Sequence, residues 1–319
     1  RHRRRGPLGS LGMSTGGGSK AIVAAFLANM GIAVAKFIGF IVTGSSSMLA
    51  ESIHSVADSG NQALLVLGNK RARRERDVEH PFGHGRERYF WAFIVALVLF
   101  TLGATFSIYE GIHKLQHPEQ LEDAQWAIGI LLVAIGLEAF SFRTAIGESN
   151  LVRGNQGWAT FIRRSRAPEL PVVLLEDFGA LIGLALALCG VGLTVVTDDP
   201  MWDAIGTICI GTLLGVIAIV LATEMKSLLM GETATIEDQA KILDAIEDAP
   251  AVVSVIYVRT QHLGPDDILV GAKLDLDHGL DTTGIADAID DIEARIRSAV
   301  PIATTIFIEP DITRPQPAS

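Results

Sequence analysis

Six long apolar runs dominate this chain of 319 residues. As a helix that rises about 1.5 Å per residue, each run is long enough to cross a hydrocarbon core of about 30 Å. None carries a polar stripe through most of its length, as a soluble amphipathic helix would. The sequence therefore predicts a multi-pass integral membrane protein, all-α, with six spans in the lipid bilayer. The predicted spans are residues 20–43, 47–69, 89–113, 124–146, 170–197 and 201–226.

The acidic residues gather at the C-terminal end of the chain. From Glu232 to Ser319 there are 17 acidic and 6 basic residues, and the whole chain has a net charge of −10. This change predicts a membrane domain over residues 13–231 and a soluble domain over residues 232–319. An acidic domain lacks the basic surface that nucleic acid requires. Residues 1–12, which include "GPLGS", are interpreted as a remnant of protease cleavage and cloning.

The acidic C-terminal part has its own pattern of helices and strands. Residues 236–248 and 282–299 space their isoleucines as amphipathic helices do, whereas "AVVSVIYVRTQ", "ILVGAKLDLD" and "ATTIFIEP" have the composition or the alternation of strands. The resulting order is α-β-β-α-β. It predicts a small α+β domain of the ferredoxin-like type.

Lysine and arginine concentrate in the loops that follow the second and fourth apolar runs. The turns between runs 1 and 2 and between runs 5 and 6 contain no basic residue. Because cytoplasmic loops carry the excess of Lys and Arg, both termini and the α+β domain are predicted to be cytoplasmic. The Ala- and Gly-rich chain, interpreted as free of a signal peptide, suggests a bacterial inner membrane. The basic loop residues are Lys70, Arg71, Arg73, Arg74, Arg76, Arg86, Arg88, Arg153, Arg163, Arg164 and Arg166.

One polar stripe interrupts the second apolar run. Glu51, His54, Asp58 and Asn61 are spaced three, four and three residues apart, so they share one face of a helix. A charge at the bilayer centre costs at least about 2.5–3.5 kcal/mol on insertion scales. Three ionisable groups in one span therefore require a partner, a cation or water. The stripe is either a polar contact that joins helices or part of a functional site.

A second pair of acidic residues, Glu176 and Asp177, lies in the fifth apolar run. Adjacent helical residues point about 100° apart, so we expect only one of the two to face His54 and Asp58. Two carboxylates and an imidazole suit Zn²⁺, Co²⁺, Fe²⁺, Ni²⁺ or Cu²⁺, and the carboxylates extend the choice to Mn²⁺. Protons compete for the same ligands, as a metal/proton exchanger requires. No enzyme motif is found, and no organic cofactor is predicted.

With six spans, "HSVAD" in the second, "HPFGHGRER" before the third and the α-β-β-α-β tail, the chain resembles a cation diffusion facilitator. The resemblance covers residues 20–312. It implies export of Zn²⁺ or a related divalent ion by a homodimer, in exchange for protons and by alternating access. The stretches "IHSVADSGNQ" and "LLEDFGALIGL" resemble the branch of the family that contains zinc transporter nine.

The family pairs an [H/D]-x-x-x-D motif in span 2 with an H-x-x-x-D motif in span 5. The resemblance implies that His54, Asp58 and Asp177 are metal ligands. Val173 stands where the family has its span 5 histidine, and Glu176 is the candidate replacement. Two residues of the stripe, Glu51 and Asn61, are expected to orient the ligands or to line the water path.

The family has further metal sites in a loop and in the tail; this chain matches the spacing of the loop site but not the ligands of the tail site. The loop residues Asp77, His80 and His84 have the spacing of a second site, and the alternative is a loop that caps span 3 and contacts headgroups. In the tail, the positions of the zinc ligands hold Ile256 and Lys273, with Glu309 and Asp311 near the end. We therefore predict no binuclear zinc cluster there, and a domain that dimerises through apolar packing.

Two alternatives to a zinc transporter stay open. The oxygen-rich site also suits a transporter of Mn²⁺, Fe²⁺ or Co²⁺. The absent span 5 histidine and the absent tail ligands suggest a non-transporting membrane scaffold that acts through its acidic tail. The buried stripe of span 2 argues against a scaffold, which has no physical need for these charges.

Overall fold

A computed structural model describes residues 17–118, 120–121 and 123–313, with side chains from Met30 onward. Residues 1–12, interpreted above as a cloning remnant, lie outside this part of the chain. Six long helical segments of the described residues pack against one another. They are α1 (Gly17–Thr43), α2 (Ser46–Ala72), the composite of α3 (Glu87–Val98), a π-helical segment (Leu99–Thr105) and α4 (Phe106–Gln116), then α5 (Ala124–Arg153), α7 (Glu169–Thr197) and α8 (Met201–Met230). A short helix, α6 (Trp158–Arg164), joins α5 to α7.

Four of these segments are long and apolar enough to cross a membrane. They are Glu87–Gln116, Ala124–Arg153, Glu169–Thr197 and Met201–Met230. The described part of α1 adds a shorter apolar helix, Met30–Thr43. Helix α2, which contains the polar stripe, does not meet the same criterion of length and apolarity. The chain is therefore an integral membrane protein, as predicted, with four confirmed membrane-length apolar helices in the described residues.

A buried carboxylate, that of Asp203 at the start of α8, holds the beginning of α2. It accepts hydrogen bonds from Ser45 Oγ at 2.9 Å and from Ser46 N at 2.8 Å. A third bond comes from Ser46 Oγ at 3.0 Å. An anion at a helix N-terminus satisfies unpaired backbone N–H groups and interacts favourably with the helix dipole. Ser45 is the N-cap of α2, with its Oγ accepting from Met48 N, and Asp203 of α8 reinforces this cap.

The C-terminal part folds as the sequence predicts. Its elements are α9 (Ile236–Glu247), β1 (Val252–Gly264), β2 (Asp267–Leu276), α10 (Thr282–Ala299) and β3 (Thr305–Asp311). The strands form a sheet in the order β1-β2-β3, with β1 and β2 antiparallel and β2 and β3 parallel. Ile242, Ile246, Ile292 and Ile296 are fully buried in the core of this α+β unit. The predicted order α-β-β-α-β is confirmed.

The turn between β1 and β2 contacts the loop that precedes α3. A Cβ added at Gly85 would lie 2.8 Å from the carbonyl oxygen of Leu263, so only glycine permits this approach. Arg88 Nη1 donates to Asp266 Oδ2 at 2.7 Å, and its Nε and Nη2 donate to both carboxylate oxygens of Glu169. One guanidinium therefore links the start of α3, the start of α7 and the tail.

Replacing Asp203 by Asn tests the cap on α2. The variant loses the charge and turns an amide donor toward groups that themselves donate, so we expect a loss of about 1–3 kcal/mol in the free energy of unfolding. Asp198→Asn is the matched control because Asp198 is exposed in the same hairpin. Thermal unfolding in detergent, followed by circular dichroism, measures both variants. Equal melting temperatures for the two would contradict the role given to Asp203.

Candidate functional site

A small polar cavity lies between α1, α2, α5 and α7. Its volume is about 20 Å³, which is room for about one water-sized particle. Helices α2, α5 and α7 each contribute at least one carboxylate to its wall. The lining residues are Ile32, Ser55, Asp58, Gln62, Glu138, Ser141, Val173, Glu176 and Asp177. A cavity this small with four carboxylates has the size and chemistry of a site for a single cation.

His54 and Asp58 lie one helical turn apart on α2. His54 Nδ1 is 3.5 Å from Asp58 Oδ1, which is too long for a good hydrogen bond. The imidazole is buried, and neither of its nitrogens has a hydrogen-bond partner in the described part of the chain. The same holds for Asp58 Oδ1. An unsatisfied buried imidazole beside an unsatisfied carboxylate oxygen is suited to receive a cation.

Helix α7 presents both Glu176 and Asp177 to this cavity. Asn61 Nδ2 donates to Glu176 Oε1 at 2.7 Å, and Ser141 Oγ donates to Asp177 Oδ2 at 2.9 Å. The expectation that only one of the two faces the site is wrong. The reason is that α7 packs against α5 as well as α2, so a wide sector of its surface fronts the cavity. Val173, at the family's histidine position, lines the same wall.

Two ionisable residues near the site were not predicted, namely Lys36 on α1 and Glu138 on α5. Lys36 Nζ donates to Glu51 Oε2 at 3.1 Å and to Ser55 Oγ at 2.8 Å, and both Lys36 and Glu51 are inaccessible to solvent. Glu51 therefore pairs with α1, and its Oε1 has no partner among the described residues. A charged residue within an apolar run was the available sequence signal for both.

The loop before α3 brings together the three residues of the predicted second site. Asp77 Oδ1 lies 3.2 Å from His80 Nδ1, and Asp77 Oδ2 lies 3.2 Å from His84 Nε2. One ligand atom from each residue lies within 4.8 Å of the others. The backbone N–H of His80 donates to Asp77 and, with the two imidazoles, lowers the pKa of that carboxyl. The cluster can hold a divalent cation on an exposed loop.

The tail positions Lys273, Glu309 and Asp311 form an ion-pair cluster across β2 and β3. Lys273 Nζ lies 2.7 Å from Asp311 Oδ2 and 3.1 Å from Glu309 Oε1. The hydrogen bonds to Asp311 and then Glu309 raise the pKa of the Lys273 ammonium. Ile256 stands partly exposed on β1. The Lys273 ammonium thus forms ion pairs with carboxylates that could otherwise bind metal. The absence of a binuclear zinc cluster stays a prediction.

The fold and the cavity define a membrane protein with a small internal cavity lined by carboxylates. The model of the cation efflux transmembrane domain matches residues 22–230. The chain therefore belongs to the cation efflux, or cation diffusion facilitator, family, whose members are transporters and not enzymes. This confirms the family resemblance noted from the sequence.

Several relatives match about three quarters or more of the chain. The proton-coupled zinc antiporter SLC30A9, mitochondrial, of Mus musculus is 35% identical over 246 residues, which is 76% of this chain and 43% of the relative. Metal tolerance protein C4 of Arabidopsis thaliana is 30% identical over 258 residues, 80% of this chain and 56% of the relative. Magnetosome protein MamM of Magnetospirillum gryphiswaldense is 26% identical over 252 residues, 74% of this chain and 70% of the relative.

These matches bear on branch and location. The chain spans less than half the length of the SLC30A9 relatives that it matches. Their similarity confirms the likeness to the zinc transporter nine branch. These relatives are named as mitochondrial proteins. The comparisons therefore do not support the expected location in a bacterial inner membrane.

The ion pair between Lys36 and Glu51 can be tested by removing one charge and then both. Lys36→Met leaves Glu51 buried without its counter-ion, so we expect a loss of roughly 3–5 kcal/mol in the free energy of unfolding. The double variant Lys36→Met/Glu51→Gln removes both charges and should recover most of that loss. Denaturant unfolding in detergent measures both. A double variant as unstable as the single one would contradict the pairing.

The loop cluster can be tested by metal stoichiometry. His80→Ala/His84→Ala removes two of three ligands, so equilibrium dialysis with Zn²⁺ should show one bound ion fewer per chain. Acidification should release the same ion from the unmodified protein, because protonated imidazoles no longer bind metal. His113→Ala/His117→Ala is the matched control, since these exposed imidazoles also stack, with ring centroids 4.8 Å apart. An unchanged stoichiometry in the first variant would exclude a loop site.

Proposed function

We propose that the protein is a homodimeric secondary transporter that exchanges a divalent cation, foremost Zn²⁺, for protons. The cation binds His54, Asp58, Glu176 and Asp177. The observation that carries this proposal is the one-ion cavity. Four carboxylates line it, and beside it lies the His54 imidazole, which has no hydrogen-bond partner among the described residues. The relatives support it, because SLC30A9 is a proton-coupled zinc antiporter by name and C4 is a metal tolerance protein.

Six membrane spans and a cytoplasmic tail belong to the same proposal. Helices α1 and α2, added to the four membrane-length apolar helices, give six spans. The polar face of α2 turns toward the cavity instead of lipid. The basic loops after α2 and α5 lie on the side of the tail, which supports cytoplasmic termini. We assign residues 13–231 to the transport domain and residues 232–319 to the dimerisation domain. On the sheet, Tyr257 and Phe307 are exposed aromatic side chains suited to contact a second copy.

The polar groups around the cavity suit an exchange of metal for protons. Asn61 and Ser141 hold one oxygen each of Glu176 and Asp177, which leaves the second oxygens for the cation. Protons and metal compete for the imidazole and the carboxylates, so proton uptake on one side releases the ion. Movement of helices around a fixed site near the middle of the membrane would open it alternately to the two sides.

The identity of the ion has a second candidate. Val173 supplies no imidazole. Among the described residues, the lining of the cavity therefore offers oxygen ligands, and His54 adds a nitrogen ligand beside it. Such a donor set accepts Mn²⁺, Fe²⁺ and Co²⁺ as well as Zn²⁺. A manganese, iron or cobalt transporter is therefore the alternative, and metal competition distinguishes it from a zinc transporter.

Ion flux into proteoliposomes under a pH gradient tests the proposal. We expect the unmodified protein to carry Zn²⁺, Mn²⁺, Fe²⁺ or Co²⁺ only when protons can move in the opposite direction. Asp58→Asn should reduce the flux by about 100-fold or more, since a ligand charge is lost in a low-dielectric site. Asp198→Asn, in an exposed turn, is the matched control and should transport normally.

Two results would count against the proposal. Proteoliposomes that contain folded, dimeric protein and carry none of the four ions would exclude transport. Flux of equal size in Asp58→Asn and Asp198→Asn would place the transport site elsewhere.

A further inference from the structure

Glu138 is a cavity-lining carboxylate that no family motif assigns. It lies on α5, whereas the two motifs of the family lie on α2 and α7. It lines the same cavity as Asp58, Glu176 and Asp177. Its carboxylate has no hydrogen bond or ion pair to any side chain in the described part of the structure, which includes all of α5 and α7. A carboxylate within a membrane span is costly unless a cation, a proton or water compensates it.

The neighbours of Glu138 place it close to the acidic residues of α7. Ser141, three residues along the same face of α5, donates to Asp177. Helices α5 and α7 pack along their length, so one turn of α5 faces one turn of α7 across the cavity. The Lys36 ammonium lies near Glu138, but in the described part of the structure it donates its hydrogen bonds to Glu51 and Ser55 and not to Glu138.

Each of the other carboxylates of the wall has a polar neighbour beside one of its oxygens. Asn61 binds one oxygen of Glu176, and Ser141 binds one oxygen of Asp177. Asp58 lies beside the imidazole of His54. Val173 contributes only a hydrocarbon surface at the position where the family supplies a nitrogen ligand. Glu138 is thus a further oxygen donor, contributed by α5, that can join the coordination of an ion in this cavity.

We propose that Glu138 is a direct ligand of the transported ion and a determinant of which ion is bound. It supplies from α5 an oxygen donor in place of the imidazole absent at position 173. An oxygen donor here favours ions that accept carboxylate-rich coordination, such as Mn²⁺, over Zn²⁺, which binds imidazole well. This inference rests on the proposed function, because it concerns the same cavity.

Equilibrium dialysis of Zn²⁺ and of Mn²⁺ tests the role of Glu138. All variants carry His80→Ala/His84→Ala, so that the loop cluster does not contribute. Glu138→Gln keeps the shape of the side chain and removes its charge. We expect it to weaken Mn²⁺ binding by about tenfold or more, with a smaller effect on Zn²⁺. The matched control is Glu148→Gln, because Glu148 lies on the same helix, is exposed and does not line the cavity.

A second substitution tests ion selection. Val173→His restores the nitrogen ligand one turn before Asp177. Combined with Glu138→Gln, it should recover Zn²⁺ binding but not Mn²⁺ binding. The ratio of the two affinities should therefore move toward Zn²⁺, a change that a merely structural role for Glu138 would not produce.

Several outcomes would overturn the inference, and they differ from a failure of the proposed function. If Asp58→Asn abolishes binding while Glu138→Gln binds both ions as Glu148→Gln does, Glu138 is not a ligand and the transport site stands. If the unmodified protein binds neither ion, the transport site and this inference both fail. Should Glu138→Gln unfold, Glu138→Asp retains the charge on a shorter arm. If folded Glu138→Asp binds Mn²⁺ with the same affinity as the control Glu148→Gln, the inference is also overturned.

Discussion

The cost of charge inside a membrane organises this structure. Each ionisable group in the helical bundle needs a compensating partner, and different groups find different solutions. Lys36 and Glu51 neutralise each other between α1 and α2, and Asp203 caps the start of α2. The carboxylates around the cavity are left with fewer partners than they can accept. Where compensation from the protein is incomplete, a cation or protons must supply it, and this is where the proposed transport site lies.

The bundle and the tail meet at a second group of charges. Arg76 donates to Asp267 and Thr304 of the tail, and Arg88 joins Asp266 to Glu169 at the start of α7. The loop that carries Asp77, His80 and His84 runs between these two arginines. The candidate loop site and the proposed transport helix α7 are therefore connected to the tail through the same short stretch before α3.

Hydrophobicity and spacing were enough to predict much of the fold and one wall of the site. The apolar runs predict the helices, and the alternation of residues predicts the α-β-β-α-β tail. The stripe on α2 places His54, Asp58 and Asn61 on one face because a single helix has a known periodicity. The rotation of each helix relative to its neighbours has no such signal. For this reason the prediction that only one of Glu176 and Asp177 faces the site was wrong. For the same reason Lys36 on α1 and Glu138 on α5 were missed.

The exchange of a cation for protons at the buried site is the central claim. Isothermal titration of Zn²⁺ into the variant His80→Ala/His84→Ala, in two buffers of different ionisation enthalpy, counts the protons released per ion bound. The account predicts release of at least about one proton per Zn²⁺, and loss of both binding and release in the additional variant Asp58→Asn. Zn²⁺ binding without proton release, or binding that persists unchanged in Asp58→Asn, would contradict it.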